Sequence, residues 1–248
     1  MKHTLFRIVL TALLASSPAF AQMPGMGPGA GMDPAMTKLF GENKAFTASA
    51  EFSIKAPNQS EPMVMGANFS MSDGKTRVEM DMTQMKGTQL PPNALASMKQ
   101  MGMDKMVMIA RPDKKITYMV YPNLHAYAGM PMTDAQAATD DKGLKMEKTS
   151  MGKESIDGHA CEKNKVLMTD AQGATHEVLV WNAADLKDFP VKMQMTEKGN
   201  SVLATFKNIK LEKPDATLFE APAGLTKYDD VQTMVQTEMM KHTGGGAK

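Results

Sequence analysis

Apolar and polar residues alternate with a period of two along most of this chain. In "FTASAEFSIK", Phe46, Ala48, Ala50, Phe52 and Ile54 are apolar, while Thr47, Ser49, Glu51, Ser53 and Lys55 are polar. Successive side chains of a strand point to opposite faces, so the run predicts a half-buried strand. "MVMGANFSM" keeps the alternation, with Met63, Met65, Ala67, Phe69 and Met71 in phase, and Ser72-Asp73-Gly74 supplies a hairpin turn. Its return strand, "KTRVEMDM", sets Val78, Met80 and Met82 against Arg77, Glu79 and Asp81. These three strands predict an antiparallel meander with one wet face.

Elsewhere the period changes. "MTKLFGENKAF" predicts a short helix over Lys38 to Glu42, which Gly41 stops early, and "PPNALASMKQMGM" predicts a short helix or lid opened by Pro91 and Pro92. "KMVMIARPDKKITYMVYPNLHAY" reads as a hairpin turning at Pro112-Asp113, with Ile116, Tyr118 and Val120 on one face. Five later strands follow: "LKMEKTS", "GHACEKNKVLM", "THEVLVWN", "VKMQMTE" and "VLATFKNIKLE", about ten in all. In the tail, Val231, Met234, Val235 and Met239 fall at helical spacing behind Asp229 and Asp230, which suit a helix N-terminus. That amphipathic helix is expected to dock on the sheet, because it lacks the basic polar face of a membrane-surface helix.

The N-terminus changes the setting. "MKHTLFRIVLTALLASSPAFAQ" carries Lys2 and Arg7 ahead of an apolar run and ends in Ala19-Phe20-Ala21, the pattern of an export signal. The expectation is cleavage after Ala21 and a periplasmic mature protein. The run from Ile8 to about Ala15 is far shorter than the roughly 20 residues that span a bilayer. Loss of residues 1–21 would leave 26 basic residues against 27 acidic ones, a balance that excludes a polyanion or nucleic-acid binder. Residues 22–36, "QMPGMGPGAGMDPAM", are Gly/Pro-rich and aperiodic, and read as a disordered leader. One domain over 37–226 and a helix with a disordered tail over 227–248 complete the expected organisation. With a single cysteine, Cys161, no internal disulfide can form, and Cys161 reads as a buried small hydrophobe.

Two stretches resemble a known superfamily. "WNAADLKDFPVKMQMTEKGNSVLATFKNIKLEKPDATLFEAPAGL", Trp181 to Leu225, is similar to the C-terminal half of the LolA-like half-barrels, which include periplasmic lipoprotein carriers; "PDATLFEAPAGL" is its most characteristic part. "GKESIDGHACEKNKV", Gly152 to Val166, resembles the glycine-centred strand pair that precedes it in their uncharacterised branch. The resemblance implies an α+β, mainly β fold over residues 37 to 226. It would be a curved, incomplete antiparallel barrel whose open side is plugged by short helices. It also implies a concave cavity for acyl chains or another hydrophobic ligand. The carriers have an arginine inside that cavity. Here the mature chain has only Arg77, on the polar face of its strand, and Arg111, beside a proline turn, and neither is expected to act as an internal gate.

The 27 methionines admit two chemistries, because thioethers are both pliable apolar fillers and soft metal ligands. The M-x-M pairs 63/65, 80/82 and 193/195 share parity with Phe69, Val78 and Val191, which assigns them to the buried face; 106/108 and 130/132 repeat the motif. The expected ligand-binding residues are therefore Phe52, Met65, Phe69, Met71, Val78, Met80, Met82 and Met193. The alternative is a Cu(I)-binding or oxidant-buffering protein that uses Met23, Met26, Met32 and Met36 of the leader. His125, His159 and His176 show no ligand spacing and read as strand or surface residues. No nucleophile elbow, zinc-protease helix or phosphate loop occurs, and Asp140-Asp141 and Asp229-Asp230 read as a turn and a helix start. The expectations are no catalysis, no cofactor, a lipid or other hydrophobic small molecule as ligand, a monomer, and at most a transient envelope partner.

Overall fold

The computed structural model describes residues 34–57, 59–87, 92–137, 144–169, 173–197 and 199–244. Alternation builds the expected meander from β1 (Ala45–Lys55), β2 (Met63–Ser72) and β3 (Lys75–Asp81). Phe69 faces Ala48 on one side and Val78 on the other, so the apolar set of all three strands falls on one surface. Asp73 and Gly74 both take positive φ, as a two-residue hairpin loop with the sheet's own twist requires. The meander continues through β4 (Lys105–Arg111), β5 (Ile116–Tyr121) and β6 (Ala126–Pro131).

A second meander runs from β7 (Lys145–Ile156) through β8 (His159–Thr169), β9 (Thr175–Ala183) and β10 (Phe189–Glu197) to β11 (Asn200–Lys210). Its last strand pairs with β1, which fuses the two meanders into one sheet. A short β12 (Thr226–Tyr228) adds in parallel to β6, and the sheet of twelve strands runs β12-β6-β5-β4-β3-β2-β1-β11-β10-β9-β8-β7. The end strands β12 and β7 do not pair, so the barrel is incomplete, as expected. The count among the described residues is twelve rather than about ten, and the two additional strands, β6 and β12, are neighbours.

Four α-helices accompany the sheet among the described residues: α1 (Pro34–Lys38), α2 (Pro92–Gln100), α3 (Asp134–Ala137) and α4 (Val231–Gly244). The first lies one turn earlier than the sequence suggests. Bonds of i to i−3 type at Leu39, Phe40 and Gly41 tighten the chain behind it, and Gly41 leaves the turn at φ 58°. Met82, expected in β3, instead opens a 3-10 turn capped by the Asp81 carboxylate, although its side chain stays buried. Asp230 accepts from the Thr233 N–H and caps α4, which docks as expected through Met234 on Ala126 and Ala128 of β6. No helix among the described residues is long and apolar enough to cross a membrane.

The sheet is buried on both surfaces over part of its width. On the inner face, residues from β1–β3 and β8–β11 join Leu39 and Phe40 in one apolar body. On the outer face of β4–β6, Val107, Ile109, Tyr118, Val120 and Tyr127 make a second body, covered by Phe219 and Leu218. Gly87 closes the loop after β3 at φ 66°, where an added Cβ would stand 2.0 Å from the carbonyl oxygen of Pro62. Neither atom lies at the end of a flexible side chain. Gly87→Ala is therefore expected to destabilise by several kcal/mol, on the order of the strain and steric effects of such sites, read as a lower denaturation midpoint.

Candidate functional site

Register, rather than sequence proximity, assembles the inner face. Phe52 faces Met65, Ala67 faces Met80, and Met80 faces Met106; across the β1–β11 seam Phe52 faces Ala204, which in turn faces Met193. All eight residues expected to bind ligand, Phe52, Met65, Phe69, Met71, Val78, Met80, Met82 and Met193, are buried in this single body. For the seven that lie in strands the common side follows from the period-two pattern plus antiparallel pairing; Met82 joins them from the turn after β3.

One end of the body is solid aromatic packing. The Phe40 ring lies 4.9 Å from Phe46 and 5.4, 5.6 and 6.3 Å from Phe189, Phe206 and Phe69, centroid to centroid. These spacings fit offset and edge-on ring contacts. Away from that plug the inner face turns to thioethers and small residues. Met108 and Met119 face each other across β4 and β5, and both are buried. Pairing parity could have added Met108, Met119 and Met195 to the expected set once strand order was known. A cleft of about 350 Å³ lies on the opposite, outer face, lined chiefly by Asn68, Arg77, Glu79, Asp81, Lys105 and Val107, and is separate from the inner body.

Both arginines lie on the outer face, as neither was expected inside. Arg77 donates to the Leu218 carbonyl at 3.1 Å and to Glu79 at 2.6 Å. Arg111, however, is buried, which its place beside a proline turn did not suggest. Its guanidinium makes a two-pronged contact with Asp113 and donates to the Phe219 carbonyl and the Glu220 carboxylate. Hydrogen bonding to Asp113, and secondarily to Glu220, raises its already high pKa against the opposing effect of burial. The "PDATLFEAPAGL" segment is thus a strap held on the outer face by two arginines.

Cys161 is buried, its thiol donates to the His159 carbonyl at 3.4 Å, and burial pushes its pKa up, so little thiolate is available for attack. His159 pairs with Asp185 at 2.7 Å at the surface. Groups of three or more His, Cys, Asp or Glu side chains placed to hold a metal are absent among the described residues. Of the alternative thioether set, Met36 sits on α1, half-buried against the inner body, while Met23, Met26 and Met32 lie outside the described residues. Asp140 and Asp141 lie outside them too.

No family model matches the chain, and no curated protein matches it by sequence. Solved structures do. The likeness is to LolA superfamily proteins and mycobacterial lipoproteins. A LolA superfamily protein from Nitrosomonas europaea aligns at 11% identity and a TM-score of 0.37, over 76% of this chain and 96% of its own. The lipoprotein LppX of Mycobacterium tuberculosis aligns at 9% identity and 0.40, over 78% and 96%. LprF from Mycobacterium bovis aligns at 14% and 0.36, over 74% and 93%. Likeness at this level assigns neither ligand nor role.

Proposed function

We propose that this chain is an exported, non-catalytic periplasmic protein that binds or carries a hydrophobic ligand, a lipid or an acyl chain, against its methionine-rich inner face. The binding residues are Phe52, Met65, Phe69, Met71, Val78, Met80, Met82 and Met193. The observation that carries the reading is their convergence from four strands and the turn after β3 into one apolar body on the inner side of an unclosed sheet. Five of the eight are thioethers, whose unbranched, polarizable chains repack around irregular apolar shapes. In this reading residues 1–21 are the signal, 22–36 a leader, 37–226 the half-barrel and 227–248 the terminal helix and tail. The protein acts as a monomer, with transient envelope contacts at most.

Native mass spectrometry of the protein taken from its own periplasm, followed by organic extraction, tests this. The expected result is a chain beginning at Gln22 with a co-purifying lipid or acylated peptide near one per chain. An empty protein that loses copper mass on chelation would transfer the methionines to the metal reading. Simultaneous replacement of Met65, Met80 and Met193 by leucine conserves volume and should leave lipid uptake within about two-fold, since such swaps usually cost under ~1.5 kcal/mol each. Loss of uptake in a folded triple variant would show that sulfur itself is the binding group.

A further inference from the structure

Thr117 is fully buried, and its hydroxyl has no hydrogen-bond partner among the described residues. An unmade bond at a buried polar group is costly, and native proteins carry few such groups. The position of this one is informative. Across the sheet, Met71 faces Thr76, Thr76 faces Ala110, Ala110 faces Thr117, and Thr117 faces Met130. Met71 belongs to the inner apolar body, so Thr117 projects from the inner face. Its same-face neighbour along β5 is Met119, which is buried, whereas Met130 beside it is only half-buried. The hydroxyl therefore sits among a small residue and adaptable thioethers, far along the sheet from the phenylalanine plug.

We infer that Thr117 supplies a hydrogen bond to the bound ligand, and that the ligand is an acyl chain ending in a neutral carbonyl or hydroxyl head rather than a hydrocarbon or a free carboxylate. This rests on the reading of the inner face as the ligand site. Charge selects the neutral head. Thr76, Ala110, Met119 and Met130 offer no cation, and Arg77 and Arg111 point to the opposite face, where the strap occupies them. A carboxylate at Thr117 would be a buried charge without a counter-ion, a far greater cost than an ester or alcohol accepting one hydrogen bond. A purely hydrocarbon ligand would leave the hydroxyl unpaired. The acyl chain then runs along the Met108 and Met119 thioethers towards Met80 and Met65.

Displacement of the fluorescent reporter N-phenyl-1-naphthylamine from the full mature protein tests this. At pH 8, monooleoylglycerol is expected to displace the reporter from the parent protein at a concentration roughly ten-fold or more below that of oleate, as the cost of burying an unpaired charge requires. Thr117→Val keeps the side-chain shape, removes the unpaired oxygen and should leave reporter affinity unchanged. Its affinity for monooleoylglycerol should fall about five-fold, the scale of one hydrogen bond, while Thr117→Ser retains it. The melting temperature of the empty Val variant should be equal to or above that of the parent. Equal monooleoylglycerol affinity in the parent and Thr117→Val, or a lowered melting temperature, would overturn the assignment. Failure of the parent to take up the reporter would overturn the inner-face reading itself, and this inference with it. An N-oleoylated peptide in a parallel arm distinguishes a lipoprotein from a glyceride as the source of the chain.

Discussion

Phe40→Ala is expected to remove about 4 kcal/mol of stability, the middle of the range for aromatic truncation in a core. The side chain is 1% exposed and touches four other phenylalanine rings drawn from β1, β2, β10 and β11. Those strands lie on both sides of the β1–β11 seam, so the ring is where the two meanders meet a common filler. Collapse cannot heal the void cheaply, because Phe46, Phe69, Phe189 and Phe206 are each held by strand register. Domains of this kind are stable by only about 5–15 kcal/mol, so the loss is a large share of the total. Denaturant unfolding followed by Trp181 fluorescence measures it. A cost under ~1.5 kcal/mol would mean that the α1 region is not part of the cooperative core. Phe40→Leu, which keeps most of the volume, should recover more than half of the loss.

Phe40 also marks what local pattern can and cannot convey. Strands buried on one face announce themselves, because β1, β2 and β3 alternate cleanly between core and water. β6 does not: Ala126, Tyr127 and Ala128 are all buried, the first and third beneath α4 and the second against the outer cluster. Burial on both faces erases the period of two. β12 has only three residues and depends on β6 for its pairing, so a reading that misses one misses the other. The early helix is displaced for a related reason. Phe40 reads as an ordinary apolar residue of a short helix, whereas its burial among phenylalanines from distant strands pulls the chain into tightened turns just before it.

The candidate site was legible to the extent that parity is local. Met65, Met80 and Met193 could be assigned to the buried face from their own strands, because each shares phase with an unmistakable core residue. Their convergence depends on strand order, and above all on the pairing of β1 with β11, which joins residues more than a hundred positions apart. Thr117 was not legible at all. Its strand, "ITYMVY", has apolar residues on both faces, and nothing local separates a threonine bonded to a partner from one without. Arg111 misled in the opposite direction. A charged residue beside a proline turn suggests exposure, yet it shares parity with Val107 and Ile109 on a face that the chain returns to cover more than a hundred residues later.

That covering is the basis of the second large effect, expected for Arg111→Met. Methionine fills a similar space but cannot donate to the Phe219 carbonyl or to the carboxylates of Asp113 and Glu220. Hydrogen bonds to charged groups contribute roughly 1.5–3 kcal/mol each at best, and both carboxylates are about half exposed, so a total near 3 kcal/mol is expected. Arg77 retains its bond to Leu218, so the strap should loosen rather than leave. Amide exchange should quicken over 216–228 while β8–β10 stay protected. The deficit should depend on pH in a defined direction. Hydrogen bonding by Arg111 holds Asp113 below the usual carboxylate range; Lys114 first, then Arg111, does the same for Glu220. Carboxylates with lowered native pKa stabilise the fold above the unfolded-state value of about 4, and that stabilisation is lost as pH falls through the lowered native values. The parent should therefore lose most of its advantage over Arg111→Met between about pH 4 and pH 2, leaving mainly the bond to the Phe219 carbonyl. Denaturant midpoints for both proteins at pH 7 and pH 2.5 decide it: a gap of equal size at both would assign the effect to packing on the outer face rather than to the ion pairs.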